Sequence, residues 1–140
     1  MSWPPSITVA SVIYRDGRYL LVKEVDKATG IEVFNQPAGH LEPGETLVEA
    51  AIREAFEESC WKISIEALLG VSLFKNPTGQ VYLRHTFSAI PIEQEKQAKL
   101  DSDIISTHWL SIEEIENHVE CLRSPIVLEA LKWHRSGITY

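Results

Sequence analysis

The order of predicted elements places this chain in the α/β (α+β) class. Apolar, β-branched runs stand on both sides of one amphipathic helix, and two further helical segments follow. A hydrophobic content of 44% in 140 residues can supply a core, and no repeat, low-complexity tract or linker divides the sequence. The sequence therefore predicts one layered domain over residues 1–140.

Two hairpins are predicted from turn signals between strand-like runs. The runs ITVASVIY and YLLVKE flank RDGR, whose Asp-Gly pair favours a two-residue hairpin turn. The runs ISIEALLGVSLF and VYLRHTFSAI flank NPTG, which is a second turn signal. The segment STHWL is a further short strand candidate.

Capping signals predict where three helices begin. Thr46 with Glu49 has the spacing of a capping box, and Ser111 with Glu114 repeats it. A terminal helix is predicted between Ser124 as N-cap, with Pro125 in the first helical position, and Gly137 past its end. In the first helix, an apolar arc is expected to face the core and consists of Val48, Ala51, Ile52, Ala55 and Phe56.

The first helix also carries a cluster of glutamates that points to a metal site. Glu54, Glu57 and Glu58 stand at i, i+3 and i+4 and project from one narrow arc. Such a cluster is usually a solvated face, but two of these acids lie in the last helical turn, where the macrodipole disfavours anions. Arg53 alone cannot neutralise three carboxylates. A hard divalent cation, Mg²⁺ or Mn²⁺ as a substitute, would relieve their repulsion.

The stretch GHLEPGETLVEAAIREAFEESCW resembles the Nudix box, G-x(5)-E-x(7)-R-E-U-x-E-E-x-G-U with U a bulky aliphatic residue. Gly39, Glu45, Arg53-Glu54, Glu57-Glu58 and the apolar Trp61 fall at the required spacing. Ala55 is smaller than the usual aliphatic residue, and Cys60 replaces the usual glycine. The resemblance implies an αβα sandwich with a mixed β-sheet and a metal-dependent phosphohydrolase.

The resemblance also implies roles for the box residues. Glu54, Glu57 and Glu58 would coordinate metal, with Glu54 as the first choice for the general base, whereas Arg53 and Glu45 would organise the neighbouring carboxylates. A turn at Gly39 would let the carbonyl of Ala38 approach a metal. Outside the box, Asp103 in KLDSDI is the alternative base or additional ligand, weighed against an ordinary solvated loop aspartate and preferred to Asp101.

Substrate contacts are harder to predict from the sequence. Lys23 and Arg84 lie on predicted strands and would bind phosphate if they point into the cleft, and His40 follows the box glycine. The segments DSDI, HWLSIEEI, LRSPIVLEA and SGITY extend the resemblance to a bacterial phosphatase subfamily of Nudix enzymes. That likeness implies removal of terminal phosphate from nucleoside di- and triphosphates and from hydroxymethylpyrimidine or thiamine pyrophosphate.

The composition of the chain limits which binding partners and which cellular location we expect. The net charge of −7 and the scattered basic residues argue against nucleic-acid binding, so a small phosphorylated substrate is expected. No run is apolar for the roughly 20 residues that span a bilayer, and MSWPPSI lacks signal-peptide features, so we expect a cytoplasmic protein without membrane contact. Cys60 and Cys121 are expected to be reduced, and a monomer is the default expectation.

Two other functions stay open at this point. The chain could be a Nudix-fold module that senses a nucleotide without hydrolysing it, although such a module would have no need for the intact REAFEE acids. It could also be an enzyme that releases pyrophosphate instead of orthophosphate.

Overall fold

The computed structural model describes the backbone of residues 2–140 and the side chains from Pro4 onward. The strands are β1 (Ser2–Arg15), β2 (Arg18–Val25), β3 (Glu32–Asn35), β4 (Ala38–His40), β5 (Trp61–Lys75), β6 (Gln80–Gln94) and β7 (Ile104–Ser111). The helices are α1 (Leu47–Ser59), α2 (Ile112–Glu116) and α3 (Pro125–Ser136), with a 3-10 turn at Val119–Cys121. The predicted α+β class is confirmed.

The sheet is mixed because its two central strands run parallel. The strand order is β3-β2-β1-β6-β5, β1 and β6 are parallel, and the other pairs are antiparallel. Along its other edge β1 changes partner: Thr8–Ala10 pair with β4, and Tyr14–Arg15 pair with β2. Since β4 and β2 do not pair with each other in the described chain, the sheet is open between them.

Both predicted hairpins are confirmed. Between β1 and β2, Asp16 and Gly17 have φ of 52° and 79°, as a type I′ turn requires. Between β5 and β6, the side chain of Asn76 holds the turn, since its Oδ1 accepts from the backbone N–H of Thr78 at 3.1 Å and of Gln80 at 2.9 Å. The strand predicted from STHWL lies within β7.

Helix α1 begins and ends as its sequence indicates. Thr46 and Glu49 form the predicted capping box, with Glu49 N–H donating to Thr46 Oγ1 at 3.1 Å and Thr46 N–H donating to Glu49 Oε1 at 2.8 Å. The helix ends at Cys60, which has a left-handed φ of 62° at the position where the Nudix box pattern has glycine. A side chain in this conformation costs about 1 kcal/mol.

The face that α1 buries is rotated from the predicted one. Val48 and Ile52 were expected in the core but are 40% and 37% exposed. Ala51 and Ala55 are buried as predicted and Phe56 is half-buried, while the small residues Ala50 and Ser59 complete the buried face. These residues let the helix approach the sheet closely, and the rotation brings the glutamate arc nearer to the sheet than the apolar pattern alone suggests.

The core lies on both faces of the sheet, which confirms the αβα sandwich. On one face α1 packs its alanines against Val9 and Phe87. On the other face Val127 and Leu131 of α3 and Ile115 of α2 pack against strand residues, which are Val12, Tyr19, Leu21 and Leu69. Among the described residues, no helix is both long and apolar enough to cross a membrane.

Two short strands were not expected from the sequence, whereas the ends of α2 and α3 lie where it predicts them. Strands β3 and β4 were not predicted because runs of four and three residues carry no periodic signal. The Ser111 capping box of α2 is confirmed, and so are Pro125 at the start of α3 and Gly137 with φ of 75° at its end. Ser124 occupies the N-cap position of α3 as predicted, although its side chain makes no capping hydrogen bond.

Candidate active site

A cleft of about 790 Å³ opens where the sheet is split between β4 and β2. Its lining combines acidic residues with cationic, aromatic and turn residues. The acids are Glu24, Asp26, Glu42, Glu54 and Glu58. The remaining side chains with polar or aromatic character include Asn35, His40, Phe74, Lys75, Asn76, Tyr82, Arg84 and Arg123.

Glu54 and Glu58 reach this cleft from α1 because β4 leaves room for them. A Cβ added to Gly39 would overlap the Glu54 carboxylate, so only glycine permits this approach. The Glu58 carboxylate accepts a hydrogen bond from the backbone N–H of Ala38 at 2.9 Å. Gly39 was expected in a turn that frees the Ala38 carbonyl, but it lies within strand β4, and its small size serves Glu54 instead.

Burial and neighbouring carboxylates raise the pKa of both acids. Burial raises the pKa of Glu58 to about 8, reinforced by the nearby charges of Glu24, Glu54 and Asp101 and only partly offset by the Ala38 N–H. The pKa of Glu54 is also raised, mainly by burial, although Arg53 acts in the opposite direction. Carboxyl groups that resist ionisation without a cation are suited to sites where a cation supplies the missing charge.

Arg53 joins the box into one network. Its Nε and Nη2 bond both oxygens of Glu45, at 2.7 and 3.0 Å, and its Nη2 also donates to the carbonyl of His40 at 2.9 Å. Its Nη1 bonds Glu54 at 2.6 Å and Glu57 at 2.8 Å. This pairing lowers the pKa of Glu45 and raises that of Arg53. The pair of Arg53 with Glu57 has i,i+4 spacing, whereas Glu49, one turn before Arg53, is engaged in the helix cap.

Glu57 stands apart from the other two helix acids. Its side chain is 42% exposed and does not line the cleft, whereas only 13% of the Glu54 side chain is exposed. Since Arg53 Nη1 lies between Glu54 and Glu57, these two carboxylates share a cation that belongs to the protein. Within the part of the chain that the structure describes, no three acidic, histidine or cysteine side chains are already gathered in metal-binding positions.

Arg84 forms the buried cationic part of the cleft. Its Nη2 donates to Gln36 Oε1 at 2.9 Å, and Gln36 Nε2 in turn donates to the carbonyl of Val127 at 2.8 Å. The Nε of Arg84 is buried without a hydrogen-bond partner. Burial lowers the pKa of Arg84 to about 10, while the charges of Glu24 and Glu58 act to raise it. The guanidinium is therefore still charged near neutral pH and retains an unused donor.

Lys23 and Asp103, both predicted site residues, do not line the cleft. Lys23 lies over the Phe34 ring, with its Nζ 5.4 Å from the ring centroid and 3.9 Å from Glu32. Side chains alternate along a strand, so it is the next residue, Glu24, that faces the cleft. Asp103 is 63% exposed and pairs with Lys27 at 3.3 Å. His40 does line the cleft, as expected.

Glu24 and Arg123 are site residues that the sequence reasoning missed. Arg123 precedes α3, and its guanidinium lies 3.6 Å from Glu24 and 3.3 Å from Asp26, while its backbone N–H donates to the carbonyl of Phe34. Burial raises the pKa of Glu24 against the lowering effect of Arg123. The acidic residue beside Lys23 was a usable signal, but strand period alone could not assign its face.

Comparison with known proteins gives consistent likenesses. The model of the NUDIX domain family matches residues 4–130. The chain is 40% identical to phosphatase NudJ of Escherichia coli strain K12 over 137 residues, which span 97% of this chain and 87% of that protein. These residues include the box, the cleft and most of both faces of the sheet.

Solved structures extend the likeness to the backbone. A NUDIX hydrolase from Nitrosomonas europaea superposes with a TM-score of 0.92 at 39% identity, covering 97% of this chain and 92% of that one. The MutT protein from Methanosarcina mazei Go1 has a TM-score of 0.78 at 23% identity, covering 98% of each chain, and this likeness concerns the fold alone.

Proposed function

Because this chain belongs to the Nudix family, we propose that it is a Mg²⁺-dependent phosphohydrolase acting like NudJ. Its substrates would be nucleoside di- and triphosphates and hydroxymethylpyrimidine or thiamine pyrophosphate, from which it would remove the terminal phosphate. One observation carries the proposal: the carboxylates of Glu54 and Glu58 share a cleft with the guanidinium groups of Arg84 and Arg123. The cleft thus contains carboxylates that can bind a metal ion and guanidinium groups that can bind a phosphate.

The donor set suits a hard divalent cation. Mg²⁺ prefers carboxylate and carbonyl oxygens, and Mn²⁺ can substitute for it. Glu54 and Glu58 would hold the cation, together with Glu57 and the carbonyl of Ala38. For Glu57 to join them, its bond to Arg53 would have to lengthen, and a divalent charge between the carboxylates supplies a reason for that exchange.

The charge of the cleft explains why a cation is needed at all. The protein has a net charge of −7, and five acids line the cleft, so a polyphosphate would be repelled from it. Bound at this site, Mg²⁺ would neutralise that charge and lower the pKa of the attacking water. Arg84, which has a free donor, and His40 would then contact the phosphate oxygens.

Each remaining box residue has a proposed task. Glu54 is the proposed general base, because its carboxylate is buried, lines the cleft and has a raised pKa suited to taking a proton from water. Arg53 and Glu45 would position it and Glu57 through the network of ion pairs. Lys23 and Asp103 are retained as the weaker candidates for substrate binding and base catalysis, because neither lines the cleft.

Incubation with Mg²⁺ and a panel of phosphate compounds tests this function. The panel should contain nucleoside di- and triphosphates, thiamine pyrophosphate, hydroxymethylpyrimidine pyrophosphate, ADP-ribose and a dinucleoside polyphosphate, and orthophosphate should be resolved from pyrophosphate. The matched control is the double variant Glu54→Gln, Glu58→Gln. We expect orthophosphate release by the wild type alone. Pyrophosphate release would favour the alternative activity, and no turnover of any compound would leave a non-catalytic nucleotide sensor.

We also propose that residues 1–140 act as one monomeric cytoplasmic domain that binds neither nucleic acid nor membrane. The acidic charge of the protein supports the absence of nucleic-acid binding. Light scattering on the purified protein would detect a dimer if the monomer proposal is wrong.

A further inference from the structure

Two aromatic side chains form a shelf at the hairpin end of the cleft. Phe74 on β5 and Tyr82 on β6 are paired across the strands, and their rings stack with centroids 5.2 Å apart and planes at 18°. Neither ring belongs to the apolar clusters of the described core, and Phe74 is 39% exposed. Two rings held together beside a cleft, outside the core, are available to a ligand.

The turn beside this shelf holds it in place. Asn76 Nδ2 donates to the Tyr82 hydroxyl at 3.5 Å, while Asn76 Oδ1 accepts from the backbone N–H groups of Thr78 and Gln80. The residue that closes the hairpin therefore also restrains the Tyr82 ring. A pre-organised ring loses little conformational entropy when it stacks on a ligand.

The strand register measures how far the shelf lies from the acids. Tyr82 and Arg84 are two positions apart on β6; Arg84 lies opposite Thr8, and Ala10, two positions further on β1, lies opposite Ala38. Ala38 is the residue whose N–H binds Glu58. We call residues that lie opposite one another on neighbouring strands a row of the sheet. Tyr82 lies opposite Ser6 and Ala38 lies opposite Ala10, so their rows are four residues apart on β1. At about 3.3 Å per residue, this separation is about 13 Å along the strands.

We propose that Phe74 and Tyr82 stack on the nucleobase of a nucleoside di- or triphosphate. This inference rests on the proposed function, in which the hydrolysed phosphate lies beside the cation held by Glu54 and Glu58. The span between the two rows matches an extended nucleotide, in which a ribose separates the ring from the phosphates. It does not match hydroxymethylpyrimidine pyrophosphate, whose ring is joined to the diphosphate through a single methylene group, so that compound would be a poorer substrate.

Arg84 occupies the row between the shelf and the acids, which agrees with this orientation. Its guanidinium belongs to a side chain that lines the cleft, and in the proposed orientation it would bind the phosphate nearer to the ribose. The nucleobase end, the first phosphate and the hydrolysed phosphate would thus occupy successive rows of the sheet.

Binding measurements that need no turnover test the shelf separately from the enzyme activity. Isothermal titration calorimetry with Mg²⁺ would compare cytidine 5′-(α,β-methylene)diphosphate, which resists hydrolysis, with methylenediphosphonate, which has no ring. Loss of one stacking contact weakens binding of a base by about 5- to 150-fold. We expect Tyr82→Ala to weaken binding of the cytidine compound by that factor while methylenediphosphonate binds as before, and Tyr82→Phe to retain most of the affinity.

Tyr140→Ala is the matched control, because Tyr140 is 81% exposed and lies outside the cleft. It should leave both affinities unchanged. If wild type and Tyr82→Ala bind the cytidine compound equally well, the proposed stacking on the shelf is wrong. The same conclusion holds if Tyr82→Ala loses affinity for both ligands by the same factor. A wild type that binds the cytidine compound through Tyr82 but hydrolyses no compound of the panel would contradict the proposed activity and leave the shelf standing.

Discussion

Gly39 and Glu54 are in such close contact that no side chain fits between them. The Glu54 carboxylate lies over the backbone of β4 where a Cβ on residue 39 would stand. Residue 39 also has no left-handed backbone, so its glycine is required by contact and not by conformation. The first fixed position of the box therefore determines where its central acid can lie.

Gly39→Ala should reduce the catalytic rate much more than it reduces the stability of the fold. The added methyl group displaces Glu54, and a shift of a catalytic group by about 1 Å can cost about 100-fold in rate. We expect kcat to fall by that order while the circular dichroism spectrum is retained. Gly17→Ala is the control, since Gly17 has φ of 79° with open space around it. It should cost about 1 kcal/mol of stability and leave kcat unchanged.

Glu54→Gln should reduce the chemical rate by about 100-fold or more, because the amide cannot accept a proton from water. Single-turnover kinetics would measure this step directly. Asp103→Asn is the comparison, and its rate should stay near that of the wild type because Asp103 is exposed and paired with Lys27. The reverse pattern, with Asp103→Asn inactive and Glu54→Gln active, would move the base to the loop.

Without metal, the protein should become less stable as pH rises from about 5 to 8. The folded state holds the Glu58 proton up to its raised pKa of about 8, whereas the unfolded chain releases it near the ordinary value of 4.5. The stability linked to Glu58 is therefore present below pH 4.5 and is lost as pH rises through about 8. Thermal unfolding in the presence of a chelator would measure this loss.

Glu58→Gln separates this effect from other titrations. The lowered pKa of His134 makes an opposite contribution, since it favours the folded state as pH rises. The variant should therefore be relatively more stable than wild type near pH 8, and Mg²⁺ should raise the Tm of wild type more at pH 8 than at pH 5. A wild-type Tm that falls no more steeply than that of the variant would show that Glu58 has no raised pKa.

Arg53→Lys should weaken metal binding although the charge is kept. A lysine ammonium cannot bond both oxygens of Glu45 and also reach Glu54 and Glu57 as the guanidinium does. Loss of a residue that orients metal ligands typically costs about 10- to 100-fold in affinity or activity. Mg²⁺ titration followed by calorimetry would measure it, and Arg18→Lys, in an exposed pair with Glu114, should behave as wild type.

The fold could largely be predicted because local signals agree with it. The Asp-Gly turn, the Asn76 turn, the capping boxes at Thr46 and Ser111, and Gly137 all act within a few residues of their own positions. The family resemblance supplied the sandwich and the mixed sheet. The short strands β3 and β4 could not be predicted because runs of four and three residues are too short to show a strand period.

Spacing on one helix was enough to bring Glu54 and Glu58 together, whereas for the strand residues the sequence could not tell which face meets the cleft. The positions of Glu54 and Glu58 follow from helix spacing. The buried face of α1, however, depends on how closely Ala51 and Ala55 approach the sheet. For this reason the prediction that Val48 and Ile52 are buried was wrong. The choice between Lys23 and Glu24 depends on which face of β2 meets the cleft. Arg123 enters through the connection between α2 and α3, where no periodic pattern applies.

The parallel pairing of β1 and β6 has a consequence for folding. Thr8 lies opposite Arg84, so the centre of the sheet joins segments separated by more than half of the chain. Loop closure on that scale must precede the pairing of β1 with β6, which slows folding. During synthesis, the β1–β2 hairpin and α1 emerge before β6 exists, and the inner edge of β1 stays unpaired until then. The nascent chain is therefore most prone to misassociation in the interval before β6 leaves the ribosome.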